Sequence, residues 1–373
     1  MANTAIVMLG GTHSGWLPNS TPIQRALFLA SVGDVLCIDV GSQVAPSLAD
    51  KVRYCAIQRW STSAVLRHAK PWFEHHTQRR IVWCGPSWKQ LAIACRVARY
   101  TNAKLVLDLF DDLWLPNGIY RARGQHIMAY LHDLRAVFSK RHLKACDLLV
   151  RAIAMDPSAC GAPADIQIGV MNGICQEMIE RGENWHEHKW REDQISCAYV
   201  GVLDRERAGI LEPLLRLAAA NNRSWSLQLV GPIEQHFADA IQEAVRGSMV
   251  AVDIHGQLEW PKAMDIVQQA DCCLYPFRSG RELDCVYPIK LGEYLALGKP
   301  CICSDLRGAR EMAEEGGALF VDAHSPKHWY ESIEMLRKSP PLCREKGVLA
   351  RHRAMEITWD KLHSPLREAL HDL

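Results

Sequence analysis

Short apolar runs of strand length recur along the first half of the chain, at Ala5 to Leu9, Val35 to Val40, Ile81 to Cys84, Leu105 to Leu109 and Leu148 to Ile153. Longer segments with apolar residues at helical spacing, such as Pro22 to Val32 and Lys89 to Tyr100, lie between them. Runs that are apolar throughout, rather than alternating, belong to strands covered on both faces, so the rhythm predicts a parallel sheet with helices on each side. The rhythm then restarts. Cys197 to Val200 leads into a helical run from Ile210 to Ala220, followed by strand-like runs at Leu227 to Val230, Val250 to Ile254, Cys272 to Tyr275, Pro300 to Cys303 and Leu319 to Val321. Residues 175–194, between the two series, are polar, charged and poor in aliphatic side chains, which reads as a linker. The expectation is an α/β protein of two doubly wound domains facing each other across a cleft, residues 1–174 and 195–353, with no internal repeat.

Length and composition fit that picture. The 373 residues suffice for two domains of ordinary size, and 48% hydrophobic with 23% charged residues is the balance of a globular protein. No apolar run is long enough to cross a bilayer and the N-terminus lacks a basic-then-apolar layout, so a cytoplasmic location is expected. The 14 cysteines include Cys272-Cys273 and Cys301-x-Cys303 but no C-x-x-C, and read as reduced core thiols. The histidines suggest no metal site. Charge does change the picture. Residues 1–172 hold 19 basic against 11 acidic residues, a net of +8, while the remainder nets −7. The basic half points to an anionic partner, a phosphorylated acceptor or a membrane surface, unless the charges are merely scattered in solvent. Ser139 to Lys144 opens a basic helical stretch that could rest on anionic lipid or simply be solvated.

Ligands of doubly wound sheets bind outside the carboxyl ends of the strands, so residues just after each apolar run are the informative ones. After the first run stands Gly10-Gly11-Thr12-His13-Ser14-Gly15; Thr12 breaks the dinucleotide fingerprint G-x-G-x-x-G, and no P-loop is present. Gly10 and Gly11 let the backbone pass close to a ligand or turn tightly, and His13 is a candidate contact for the acceptor or a donor sugar. The run ending at Leu109 brings Asp108, Asp111 and Asp112, three carboxylates within five positions. Such charges are costly to bury unpaired, so they position an acceptor hydroxyl or take its proton, or else cap the next helix. Trp16 and Trp114 could stack on a sugar ring or sit in a core.

The richest stretch runs from Tyr275 to Pro300. A strand ends near Pro276, a polar loop follows, and a helix is expected from Pro288 to Gly298. Free backbone N–H groups and a partial positive charge make such a helix start an anion site. Lys290 adds a full charge in the first turn, and Glu293, a turn later on the same face, could accept hydrogen bonds from a ribose diol.

This segment resembles the donor-binding region of retaining GT-B glycosyltransferases of the family 4 type, glycosyl transferases group 1, in which P-x-K-x-x-E-Y-x-A-x-G-x-P follows a strand and a polar loop. The resemblance extends over nearly the whole chain. Tyr199-Val200-Gly201, the strand end at Gly231-Pro232, Ile254-His255-Gly256, Ala270 to Pro276, Ser304-Asp305 with Glu311, and Met171-Asn172-Gly173-Ile174 are each similar to a family motif. Trp359 fits a closing helix, residues 354–373, that packs back on the first domain. The resemblance implies a Rossmann-like GT-B fold, with the first domain binding the acceptor and the second the nucleotide sugar. It implies sugar transfer from a nucleotide diphosphate donor, UDP- or GDP-linked, to a saccharide or lipid-linked acceptor, with retention, no cofactor, no metal and no nucleic acid. Asp108, Asp111 and His13 become the catalytic candidates; Gly10, Gly11, Gly201, Arg205, Arg207, Gly231, Asp284, Tyr287, Pro288, Ile289, Lys290 and Glu293 become the donor-binding ones.

Three positions depart from the family pattern. Where the family has the first glutamate of an E-x7-E pair this chain has Cys285, and where it has an arginine and a lysine on the diphosphate it has Val202 and Ala208. Arg205, Arg207 and Lys290 are the substitutes at hand, and Glu282 or Asp284 could take over sugar recognition. A sugar-nucleotide epimerase of the same fold, or a non-catalytic glycosyltransferase-like partner, are the competing readings.

Overall fold

The computed structural model describes residues 4–10, 19–41, 44–76, 79–109, 124–152, 163–188, 190, 194–278, 284, 286–314 and 316–373. The chain divides into two compact units, one of Met1–Gly173 with Trp359–Leu373 and the other of Ile174–Thr358.

The first unit is built on a seven-stranded sheet: β1 (Ala5–Leu9), β2 (Asp34–Asp39), β3 (Arg53–Ala56), β4 (Arg80–Cys84), β5 (Lys104–Leu109), β6 (Leu148–Arg151) and β7 (Gln167–Gly169). Their order is β3-β2-β1-β4-β5-β6-β7 and every pairing is parallel. The second unit holds β8 (Ile195–Val200), β9 (Trp225–Val230), β10 (Ala251–Gly256), β11 (Cys272–Tyr275), β12 (Cys301–Ser304) and β13 (Ala318–Val321) in the order β10-β9-β8-β11-β12-β13, again all parallel. Both are doubly wound sheets of the expected class.

Central strands are buried along their whole length, as β1 and β11 are. This is why the continuous apolar runs located them so directly. The pattern passed over β3 and β7, which close the two edges of the first sheet. Each is three or four residues long and only partly buried, so its sequence has no need of an apolar run.

Residues 175–194 belong to the second unit. Met178 and Ile179 of the helix Gln176–Arg181 are buried, and Trp185 packs so closely on Gly298 that a Cβ there would lie 2.7 Å from its ring. Gly298 has φ +62°, the left-handed conformation of a helix-ending glycine. At the chain's passage between units, Asn172 accepts a hydrogen bond from Thr21 Oγ1 at 2.8 Å, and Gly173 leaves no room for a Cβ beside the Trp359 backbone nitrogen, 2.8 Å away. Residues 354–358 end the second unit, and the closing segment of the first unit begins at Trp359, whose indole donates to Asn19 Oδ1 at 3.1 Å. The described cysteines are free thiols, nearly all of them buried, most on strands.

In each sheet the strand order reverses at one place, between β1 and β4 in the first and between β8 and β11 in the second. These reversals open crevices at the carboxyl ends, and in the second sheet glycines make the crevice possible. Gly201 follows β8 and donates its N–H to Val230 O at 2.8 Å; Gly231 follows β9 and donates to Gly256 O at 2.7 Å. A Cβ on Gly231, at φ +136°, would lie 1.9 Å from the Gly201 carbonyl oxygen. Gly231→Ala is therefore expected to cost roughly 3 kcal/mol or more, from backbone strain and a backbone clash together. Gly247→Ala, at φ +71° with open space around it, should cost only about 1 kcal/mol. Urea denaturation of the two variants checks this, and equal losses would contradict the strand-end packing.

Candidate functional site

In the second unit the crevice is organised around Lys290, the second residue of the helix Ile289–Ala296. Pro288 precedes that helix, and the first N–H groups of a helix have no partner within it. The Lys290 ammonium reaches the end of β8: a Cβ on Gly201 would stand 2.2 Å from Nζ and 2.7 Å from Tyr199 Oη. Nζ also lies 5.8 Å from the centre of the Tyr199 ring, a cation–π distance. Burial pushes its pKa down to about 8; Glu293 and Asp204 act to raise it, and Arg207 to lower it. A buried ammonium beside another cation is the arrangement that an anionic ligand stabilises.

The two loop arginines part company. Asp204 caps the short helix Arg205–Ala208 by accepting from the Arg207 N–H at 2.8 Å, and its other oxygen pairs with the Arg207 guanidinium. Arg207 is thereby held near Lys290. Arg205 points instead to solvent, 3.9 Å from Glu212, on the rim of a separate depression of about 330 Å³ that it shares with Arg278 and His324. At the positions that depart from the family pattern, the Val202 carbonyl accepts the Tyr199 hydroxyl at 3.0 Å and Ala208 is buried. Cys285 and Glu282 lie outside the described residues.

Glu293 is buried, and its Oε1 accepts a hydrogen bond from the Trp260 indole at 2.8 Å. Trp260 opens the helix that follows β10, and nothing in the sequence reading singled it out. The available signal was a tryptophan at a strand-end helix start, since a buried indole N–H needs an acceptor. Pro288 is buried and Ile289 half-buried at the helix start. Tyr287 is buried and gives its hydroxyl to Glu311. Asp284 accepts from the Arg307 N–H at 2.9 Å and lies 3.6 Å from the Arg307 guanidinium, so it serves the next helix as a cap. Asp305 pairs with Arg310, whose hydrogen bond holds its carboxyl below the usual range. Ser304 ends β12 fully buried, with no hydrogen-bond partner for its hydroxyl among the described residues.

The first unit has its own crevice at the β1–β4 reversal, a cavity of about 140 Å³ lined by Gly10, Arg25, Trp83, Ser87, Gln90 and Asp108 among others. Gly10, at φ +79°, brings the backbone so near that a Cβ would lie 2.6 Å from Gln90 Nε2. Asp108 is not a solvent-facing carboxylate. It is 1% exposed and bonded through Oδ2 to Arg25 Nε at 2.9 Å, with Arg25 equally buried. Burial raises its pKa and Arg25 acts against the rise. Among the described residues Arg25 Nη1 has no hydrogen-bond partner, and the Trp83 side chain, like Arg25, favours the charged form of Asp108. The Arg25 guanidinium also lies 5.6 Å from the centre of the Trp359 ring. Arg25 escaped the sequence reading, although a lone cation inside the apolar run Pro22 to Val32 demands a partner. Gly11, His13, Asp111, Trp16 and Trp114 lie outside the described residues.

His324 and His328 form an H-x-x-x-H pair that the sequence reading overlooked. His324 precedes the helix Pro326–Lys338 rather than sharing a face of it, and no group of three or more metal-ligating residues occurs among the described residues.

Residues 195–339 match the family model described as glycosyl transferases group 1. No curated protein sequence matches the chain. Solved structures match it in fold. Sucrose-phosphate synthase from Thermosynechococcus elongatus is 14% identical with a TM-score of 0.73, covering 99% of this chain and 98% of that one. HepE from Anabaena, in complex with UDP and glucose, is 12% identical with a TM-score of 0.70, covering 99% and 100%. The lipopolysaccharide outer core galactosyltransferase WaaB is 15% identical with a TM-score of 0.63, covering 99% of each. The chain thus has the GT-B fold of two Rossmann-like units, and its residues 195–339 are similar to the glycosyl transferases group 1 model.

Proposed function

We propose that this protein is a retaining glycosyltransferase that moves a sugar from a nucleotide diphosphate donor to a hydroxyl of a saccharide or lipid-linked acceptor. One observation carries the donor half: the Lys290 ammonium, at a helix start, drawn against the glycine that ends β8. The same unit is the one that matches the family model, and the structurally similar HepE has been solved with UDP and with UDP-glucose. Retention rests on the resemblance of the Tyr275–Pro300 segment.

In this reading the bond between the anomeric carbon and the diphosphate oxygen breaks, and the diphosphate leaves with the electron pair. Lys290, the helix N–H groups and Arg207 stabilise the charge that develops there. Glu293, oriented by Trp260, accepts from the ribose hydroxyls. The acceptor oxygen bonds to the anomeric carbon and passes its proton to the departing diphosphate. Arg25 Nη1, a donor without a partner among the described residues, and the Asp108 carboxylate beside it are suited to hold an acceptor hydroxyl in the first unit.

Calorimetry with UDP and GDP tests the donor site. Lys290→Met should weaken diphosphate binding by ten- to a hundredfold, about the worth of a charged hydrogen bond, while leaving uridine or guanosine binding little changed. The pH dependence has a definite sign. Because the free ammonium titrates near 8 and a bound dianion favours its charged form, affinity should fall as pH rises above about 8. Lys290→Arg, which stays charged, should flatten that fall. A flat profile in the native protein would contradict the placement of Lys290.

Asp108→Asn tests the acceptor half. Nucleotide affinity should change less than twofold, whereas kcat/KM for the acceptor should drop about a hundredfold. A parallel loss of nucleotide binding would remove Asp108 from that role.

A further inference from the structure

We propose that the first unit docks reversibly on the surface of an anionic lipid bilayer through the helix His126–Ser139 and the exposed cations beside it. This does not depend on the transfer reaction proposed above.

The helix is amphipathic in the wrong sense for a helix of a folded protein. Such a helix normally turns its large apolar residues to the core. Among the described side chains of the helix the buried one is small, Ala129, and the helix packs on Trp88–Thr101. Large described ones face outward: Ile127 is 78% exposed, Tyr130 62% and Val137 64%, with Leu131 and Leu134 exposed between them. Spacings of three, four, seven and ten residues from Ile127 put these five on one stripe, opposite Ala129. Exposed apolar groups scattered singly are ordinary, but a continuous helical stripe of five marks a surface that something covers.

Charge identifies what covers it. Arg141 and Lys144 follow the helix, and Arg96 and Arg99 project from the helix it packs against; all four are exposed. They converge. Cys95 Sγ contacts the His142 carbonyl oxygen at 3.7 Å, tying the two segments together, and after burial it is Arg141, Arg96 and Arg99 that most depress the His142 pKa. Tyr100, 75% exposed at the end of the same helix, adds an interfacial aromatic. An apolar stripe that can enter the acyl boundary, followed past its C-terminal end by a cluster of exposed cations that can meet anionic headgroups, is the pattern of a helix lying in a membrane interface. The unit that bears it is the basic half of the chain, net +8 over residues 1–172. No described helix is long and apolar enough to cross a membrane, so this face would hold the protein on the surface.

Flotation of the whole chain with vesicles tests the proposal. With vesicles of phosphatidylcholine containing about a third phosphatidylglycerol the bound fraction should exceed that with pure phosphatidylcholine about tenfold, and 0.5 M salt should remove most of the gain. Ile127→Ser/Leu131→Ser/Val137→Ser, at exposed positions that leave the melting temperature unchanged, should abolish binding to both. Arg96→Glu/Arg99→Glu should abolish only the preference for anionic lipid. Equal binding to neutral and anionic vesicles, no binding to either, or full binding by the triple variant would overturn the proposal. So would a dimer in light scattering that the triple variant dissolves while vesicles bind neither form, since the stripe would then be covered by a second copy.

Discussion

The crevice of the second unit depends on the missing side chain at the end of β8. Gly201 leaves a gap of one methyl group, and the Lys290 ammonium occupies it. Every other feature is arranged around that contact. Gly231 must also lack a Cβ, or its neighbour's carbonyl could not approach; Tyr199 supplies an aromatic face; Pro288 starts the helix at the right place. The consequence is electrostatic. A cation drawn out of water and set near Arg207 loses part of its hold on its proton, and an anion beside it would restore it. The family pattern places an arginine and a lysine after this strand; here Val202 and Ala208 stand at those positions, and Arg207 approaches from within the short helix that Asp204 caps.

The two units solve the same topological problem with different chemistry. Both open a crevice where the strand order reverses. The second sets two cations, Lys290 and Arg207, among two carboxylates, Glu293 and Asp204. The first holds a buried pair, Arg25 and Asp108. An ion pair taken out of water is weak as a source of stability, because desolvation offsets the attraction. Its value is geometric: the Trp359 ring lies against the guanidinium, and the pair fixes the direction of both side chains.

Much of this was legible in the chain itself. Both sheets follow from continuous apolar runs, because a strand covered on two faces has to be apolar throughout, and the helix at Pro288 follows from its proline start and glycine stop. Lys290 and Glu293 could be placed one turn apart for the same reason: spacing along a helix is local. Edge strands β3 and β7 escaped because short, half-exposed edges impose no pattern.

Local pattern thus determined the fold class, the strand ends and the helix that carries the lysine. Tertiary structure alone decided the partnerships: Arg25 with Asp108 across 83 residues, Trp260 with Glu293 across 33, and Asp284 turned aside to cap the helix at Arg307. It also decided that the helix His126–Ser139 shows its apolar stripe to the outside, since the stripe's spacing is the same whether it packs on a core or on lipid. Periodicity describes one element at a time, whereas a buried charge, an indole N–H or an apolar face is satisfied by whatever the fold brings beside it, and that neighbour is remote in sequence.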